Sequence, residues 1–206
     1  MYSFEDRGGR RLTLRPEGTA SAVRAYLQHN LPATDPVQRW WYAGPMYRAE
    51  RPQKGRYRQF YQVGAELFGV AAPAADAEML IVLARLTREL GLEDIGIRIN
   101  TLGDEASRVE YRSRLTAFLR DNESQLSEHA ISLIDRNPLR VLDSKRPEDR
   151  KVVADAPDIY EALTDDARLH FETVQELLSG AGVEFSRDRK LVRGLDYYTG
   201  TIFEFT

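Results

Sequence analysis

Arg48, Glu50, Arg56, Arg58, Phe60, Gln62 and Glu66 fall within one short stretch, and their types suggest one kind of chemistry. Two strand-like runs flank a loop with Pro52 near its start and Gly55 near its end, the pattern of a β-hairpin. Alternation along the descending run puts Arg58, Phe60, Gln62, Gly64 and Glu66 on one face and Gln59, Tyr61, Val63, Ala65 and Leu67 on the other. By the same rule Arg48 and Glu50 share a face of the ascending run. A guanidinium forks onto phosphate oxygens, a phenyl ring stacks on a base, and a carboxylate with an amide holds an ammonium group, so this surface suits a nucleotide beside a zwitterion. Arg48, Arg51, Lys54, Arg56 and Arg58 against Glu50 also make the clearest basic patch in the chain. A charge run alone would be a solvated loop; the Phe and the acids on the same strand face favour a site.

The elements that position these groups follow from the rest of the sequence. The 206 residues, 42% hydrophobic, suffice for one large domain or a core with an insertion. There is no cysteine, which excludes disulfides, thiol nucleophiles and thiolate metal sites. With 30% charged residues and no long apolar run, the sequence contains no membrane-spanning segment and no secretory signal, and the expected compartment is the cytoplasm. A net charge of −3 argues against a protein that coats nucleic acid, so RNA contact should be a local patch. His29, His129 and His170 lack metal-ligand spacing, and no Gly-x-x-x-x-Gly-Lys loop is present, so no metal ligands are assigned and phosphate binding must come from side chains.

Phe4-Glu5-Asp6, Gly8-Gly9 and Arg11 to Leu14 read as a hairpin. Thr19 is the expected N-cap of a helix with Ala22, Val23, Tyr26 and Leu27 on one face. Gln38 to Arg48 forms the ascending strand, with Trp40, Trp41 and Tyr42 read as core or interface aromatics. Asp76 begins an amphipathic helix to about Leu90, with Gly91 as the C′ residue, and Ile95, Ile97 and Ile99 mark another strand of the same sheet. Asp104 caps a helix carrying Val109, Tyr111, Leu115, Phe118 and Leu119; further helical runs are expected at 124–134, 158–163 and 166–180, before a strand at 183–186. The predicted class is α+β, an antiparallel β-sheet core flanked by helices with a helical insertion.

Tyr47-Arg48-Ala49-Glu50 followed by Arg56-Tyr57-Arg58-Gln59-Phe60 resembles motif 2 of the class II aminoacyl-tRNA synthetases. Thr13-Leu14-Arg15-Pro16-Glu17-Gly18-Thr19 and Leu191-Val192-Arg193-Gly194-Leu195-Asp196-Tyr197-Tyr198-Thr199-Gly200 resemble signatures of the histidyl-tRNA synthetase family, and Asn137 to Lys145 is also family-like. A Glu before a helix can merely face the helix dipole, and a Gly-bounded segment with tyrosines can merely join strands; the complete strings argue against both.

The resemblance implies ATP-dependent activation of histidine, with Mg²⁺ accompanying ATP, and transfer to the acceptor end of a tRNA. It assigns Arg48 to the α-phosphate, Glu50 and Phe60 to adenine, and Arg56 to the distal phosphates. Glu17, Thr19, Gln62, Glu66, Tyr197 and Tyr198 are implied on the histidine side, and Arg193 is implied to stabilise charge developing on the α-phosphate. The chain divides into a first catalytic part at 1–103, a helical insertion or side layer at 104–181, where the family carries an insertion that approaches tRNA, and a return segment at 182–206. Motif 1 is expected before Met1, and motif 3 and an anticodon-binding domain after Thr206, so the chain reads as a fragment of a protein expected to be a homodimer. The alternative is the synthetase-like regulatory subunit of ATP phosphoribosyltransferase; retention of the whole activation set favours the enzyme.

Overall fold

The computed structural model describes every residue except Pro52, Glu93 and 193–197. The chain divides into two compact units, Met1–Ala71 and Ala72–Thr206.

The first unit opens with the short strands β1 (Ser3–Glu5) and β2 (Arg11–Thr13), antiparallel in a two-stranded sheet as the Gly8-Gly9 turn predicts. Helix α1 (Thr19–Gln28) and the single turn α2 (Leu31–Thr34) precede the long ribbon of β3 (Gln38–Tyr47) and β4 (Gln59–Phe68). In that ribbon Trp40 faces Glu66, Tyr42 faces Gly64, Gly44 faces Gln62 and Met46 faces Phe60. The hairpin is therefore in the expected register, with all these residues on one face.

Which face is covered differs from the simplest hydrophobic expectation. The face with Phe60, Gln62, Gly64 and Glu66 is half-buried, whereas Trp41, Tyr61 and Val63 on the opposite face are 77%, 78% and 63% exposed. Helix α1 has no buried residue, and Val23 and Leu27 are exposed. Met46 is the one buried hydrophobic residue of this unit among those described. In place of an aliphatic core, Tyr26 stacks on Phe68 with centroids 4.4 Å apart, and Trp40 meets both rings edge-on at 6.2 and 5.4 Å. Such aromatic pairs add specific geometry to their area burial.

The second unit contains α3 (Pro73–Glu89), β5 (Ile97–Thr101), α4 (Glu105–Asp121), α5 (Glu128–Ile134), α6 (Leu139–Leu142), α7 (Pro147–Val153), α8 (Asp165–Gly180), β6 (Ser186–Arg187) and β7 (Thr201–Phe205). Strand β5 is central, parallel to β6 and antiparallel to β7. The expectation that this strand joins the sheet of the central hairpin is corrected: the hairpin forms its own sheet. Within the second unit β5 pairs with β6 at Arg98 and Ile99 and with β7 along Ile97–Thr101. Helices cover the central strand in two hydrophobic clusters. Ile97 and Ile99 pack with Leu80, Phe171, Val174 and Leu178, while Leu102 and Ile202 join Leu115, Leu119 and Ile134. Full burial of each such side chain contributes roughly 1.5–3 kcal/mol.

Local chemistry sets the helix ends. Asp104 accepts from Ser107 N at 2.8 Å to cap α4, and also from Thr164 Oγ1 at 2.6 Å. Thr164 in turn caps α8 through Ala167 N, tying the two helix starts together. Helix α3 starts at Pro73, earlier than Asp76, because proline suits the first helical turn. It ends with Gly91 N donating to Arg88 O and Leu92 N to Thr87 O, the paired bonds of a Schellman motif with Gly91 at φ 72°. At the end of α8, Val183 N donates to Leu178 O and the side chain enters the core, so the strand expected from 183 begins only at Ser186.

Candidate functional site

The site residues of the first unit sit where the segment before α1 meets the ribbon. Tyr47 N donates to Arg15 O at 2.9 Å and Arg48 Nε donates to Pro16 O at 2.9 Å, which fixes Arg15-Pro16 against the end of β3. The proposed N-cap is corrected. Gly18 is the N-cap, without a side-chain bond, and Thr19 is the first helical residue. Glu17 supplies the missing acceptor, since Ala20 N donates to its carboxylate at 2.9 Å. The Thr19 hydroxyl is thereby released from capping, and it donates to Glu66 Oε1 at 2.7 Å.

Tyr42, read from the sequence as a packing aromatic, does pack its ring here, and its hydroxyl adds a contact that the sequence reading did not assign. Its hydroxyl donates to Glu66 Oε1 at 3.3 Å and lies 3.5 Å from Thr19 Oγ1. Two glycines admit its ring. A Cβ on Gly18 would lie 2.1 Å from Tyr42 Cε2, and one on Gly64 would lie 2.2 Å from Tyr42 Cζ. Burial raises the Tyr42 phenol above its ordinary range; the Thr19 bond opposes this and the Glu66 charge adds to it. The phenol therefore stays protonated and a donor at neutral pH. The signal available in the sequence was the cross-strand match of a tyrosine to a glycine two residues before a glutamate, which requires the register to be known. Beside Glu66 on the same face, Gln62 Oε1 is buried and accepts no hydrogen bond.

Nearer the loop, the Arg48 guanidinium lies 4.8 Å from the centroid of the Phe60 ring, a cation–π arrangement. Arg48 N donates to Arg58 O at 2.9 Å, which extends the pairing beyond the ribbon, and Arg58 Nε donates to Glu50 O at 3.3 Å. Arg56 pairs with Glu50 at 3.6 Å, both partly exposed. Gln53 and Arg56 close the turn, with Gly55 at φ 78°. Glu17, Thr19 and Glu66 thus lie around Tyr42, Gln62 sits between them and Phe60 on the same ribbon face, and Arg48, Glu50 and Arg56 lie toward the loop.

In the second unit, the Tyr198 side chain is 36% exposed and its carbonyl accepts from Arg108 Nη1 at 2.9 Å. Arg193 and Tyr197 lie outside the described residues. No group of three His, Asp or Glu side chains suited to a metal ion occurs among the described residues. No helix among them is long and apolar enough to cross a membrane.

The sequence reading also passed over Asp149. Its carboxylate is completely buried and accepts from Ser127 N at 2.8 Å, Ser127 Oγ at 2.9 Å and Ser144 Oγ at 2.6 Å. Burial pushes its pKa up, but these bonds and the Arg146 charge outweigh burial and hold it below the usual carboxylate range. One side chain on α7 thereby anchors the start of α5 and the segment after α6.

The histidyl-tRNA synthetase family model matches residues 1–205. The histidine-tRNA ligase of Halorhodospira halophila is 52% identical over 204 residues, covering 99% of this chain and 48% of the relative. That of Desulfosudis oleivorans is 53% identical with the same coverage. The crystal structure of apo S. aureus histidyl-tRNA synthetase superposes with a TM-score of 0.78 at 36% identity, covering 100% of this chain and 48% of the other. A Bacillus halodurans protein described as an ATP phosphoribosyltransferase regulatory subunit/histidyl-tRNA synthetase shares the fold, with a TM-score of 0.69 at 21% identity. The chain spans about half the length of the curated relatives it matches. The match to the family model over nearly every residue, and the identity to these relatives, place this chain in the histidyl-tRNA synthetase family.

Proposed function

We propose that this chain carries part of the catalytic core of a histidine-tRNA ligase. A histidine carboxylate oxygen attacks the α-phosphorus of ATP, pyrophosphate leaves, and a terminal ribose hydroxyl of tRNA then attacks the acyl carbon and releases AMP. Such chemistry depends on positioning and on neutralising charge. The observation that carries the reading is the acceptor set on one ribbon face: a Glu66 carboxylate held by Thr19 and Tyr42 and, four residues before it on the same face, a buried Gln62 oxygen that lacks a donor. An ammonium group supplies the donors this set needs, because a buried acceptor left unpaired costs about 1–3 kcal/mol.

Arg48 and Arg193 act on the α-phosphate, Arg56 on the distal phosphates, and Glu50 and Phe60 on adenine, while Glu17, Tyr197 and Tyr198 complete the histidine side. Mg²⁺ accompanies ATP, because the polyphosphate needs a divalent counter-charge. The helical segment 104–181 serves the tRNA acceptor end. The working protein is a cytoplasmic homodimer. The enzyme is favoured over the regulatory subunit because curated ligases match at 52% and 53% identity, against 21% for the regulatory-subunit-like structure.

The test is histidine-dependent ATP–pyrophosphate exchange, measured on this chain and on a protein of the relatives' full length. Exchange by the longer protein that requires histidine is the expected result. Its absence in a folded, dimeric preparation overturns the reading in favour of a non-catalytic relative.

A further inference from the structure

The stretch from Asn100 on β5 to Arg108 at the start of α4 holds the segment that ends in Tyr198, Thr199 and Gly200 from both sides. Asn100 Nδ2 donates to Leu191 O at 3.1 Å, and Arg108 Nη1 donates to Tyr198 O at 2.9 Å. Between them, Leu102 N donates to Gly200 O at 2.8 Å and Gly200 N donates to Gly103 O at 2.9 Å. The turn leading into Leu191 is fixed to the same strand: Asp188 N donates to Ile99 O at 2.9 Å, Leu191 N donates to Asp188 O at 2.9 Å, and Arg98 Nη1 donates to the Asp188 carboxylate at 3.0 Å.

The corner that makes these bonds is rigid for local reasons. Gly103 sits at φ 64°, and a Cβ there would lie 2.5 Å from Ser107 Cβ and 2.8 Å from Leu163. Ser107 is completely buried, and its hydroxyl accepts from Thr164 N at 3.0 Å, so α8 backs the corner from behind. Asn100 is 1% exposed, yet its Oδ1 accepts no hydrogen bond. A buried amide with half its capacity unused is a costly way to stabilise a strand, and the bond it does make goes to Leu191. Arg108 also pairs with Glu105, but an ion pair on one exposed helix turn contributes little.

We infer that Asn100 and Arg108 are positioning residues for histidine recognition, which fix the backbone at Leu191 and Tyr198 so that the Tyr198 ring is presented to the amino acid in one place. The inference rests on the reading above that Tyr198 belongs to the histidine side. A group ordered beforehand loses less entropy when the substrate binds. Arg108 lies at the edge of the segment assigned to tRNA, but pyrophosphate exchange requires no tRNA, so the two roles separate.

The experiment measures histidine-dependent ATP–pyrophosphate exchange and tRNA charging on a protein of the relatives' full length, with thermal melting to check each fold. Arg108→Met and Asn100→Ala should each raise the KM for histidine by about tenfold, the scale for losing one hydrogen bond that positions a contact, while the KM for ATP stays within about twofold. Arg108→Lys should restore most of the loss, since one donor suffices for one carbonyl. Glu105→Ala removes the ion pair and leaves the carbonyl bond, so both KM values should hold. Because Arg108 acts through Tyr198, Arg108→Met/Tyr198→Ala should be no worse than Tyr198→Ala alone. If Tyr198→Ala raises the histidine KM and folded Arg108→Met and Asn100→Ala do not, the inference fails and the reading stands. Loss of tRNA charging with normal exchange in Arg108→Met, or strict additivity with Tyr198→Ala, overturns it as well. An unchanged histidine KM in Tyr198→Ala itself removes Tyr198 from the histidine side, and the inference falls with it.

Discussion

Thr19 and Glu66 stand 47 positions apart in the chain, and the hydroxyl of one donates to the carboxylate of the other at 2.7 Å. This contact joins the first turn of α1 to the far end of β4, and it exists because Glu17 takes over the capping of the helix. Thr19 therefore orients Glu66 through Oε1.

Glu66→Ala in the full-length protein is expected to weaken histidine binding by about 2–4 kcal/mol, the scale for losing a buried charged partner. ATP affinity should change far less. Thr19→Val should give a smaller loss that is not additive with Glu66→Ala, because the two residues act as one unit. Equal losses for histidine and ATP in pyrophosphate exchange would remove Glu66 from the amino-acid site.

Phe60→Leu removes a ring that now faces the Arg48 guanidinium. Base stacking on an aromatic ring is worth about 1–3 kcal/mol, so the KM for ATP should rise accordingly while histidine affinity holds. An unchanged KM for ATP would make Phe60 a partner of Arg48 and nothing more.

Gly64→Ala and Gly18→Ala each place a methyl group within 2.2 Å of the Tyr42 ring. Overpacking of this kind costs about 1–3 kcal/mol. Urea denaturation should show the loss in each single variant, and Tyr42→Ala combined with Gly64→Ala should cost less than the sum. Strict additivity would mean that the ring moves aside without consequence.

Asp149 gives the second unit a sign-defined pH dependence. Its folded pKa is depressed, so its contribution to stability is complete above the unfolded value of about 3.9 and is lost as pH falls through that value toward the folded one. Asp149→Asn should lower stability at neutral pH by about 1–3 kcal/mol, since one acceptor facing Ser127 or Ser144 is replaced by a donor. The same variant should flatten the acid limb below about pH 4. An acid limb of unchanged steepness in Asp149→Asn would assign that limb to other carboxylates.

The sequence by itself determined the elements and the residue set. Strand alternation put Phe60, Gln62 and Glu66 on one face, and hydrogen-bond chemistry at Asp104 and Gly91 marked a helix start and a helix end, because each of these follows from neighbours along the chain. Three signature strings also sufficed to place the chain in its family, since each keeps a whole run of residues in order. Tertiary structure decided what those residues touch. Alternation cannot say which face of a ribbon is covered, and here the polar face is the more buried while Trp41, Tyr61 and Val63 lie open. Nor can spacing show that β5 pairs with both β6 and β7, that Tyr42 fits between two glycines, or that Asp149 gathers Ser127 and Ser144. Those contacts depend on sequence separations closed only by folding, so the local pattern carries no trace of them.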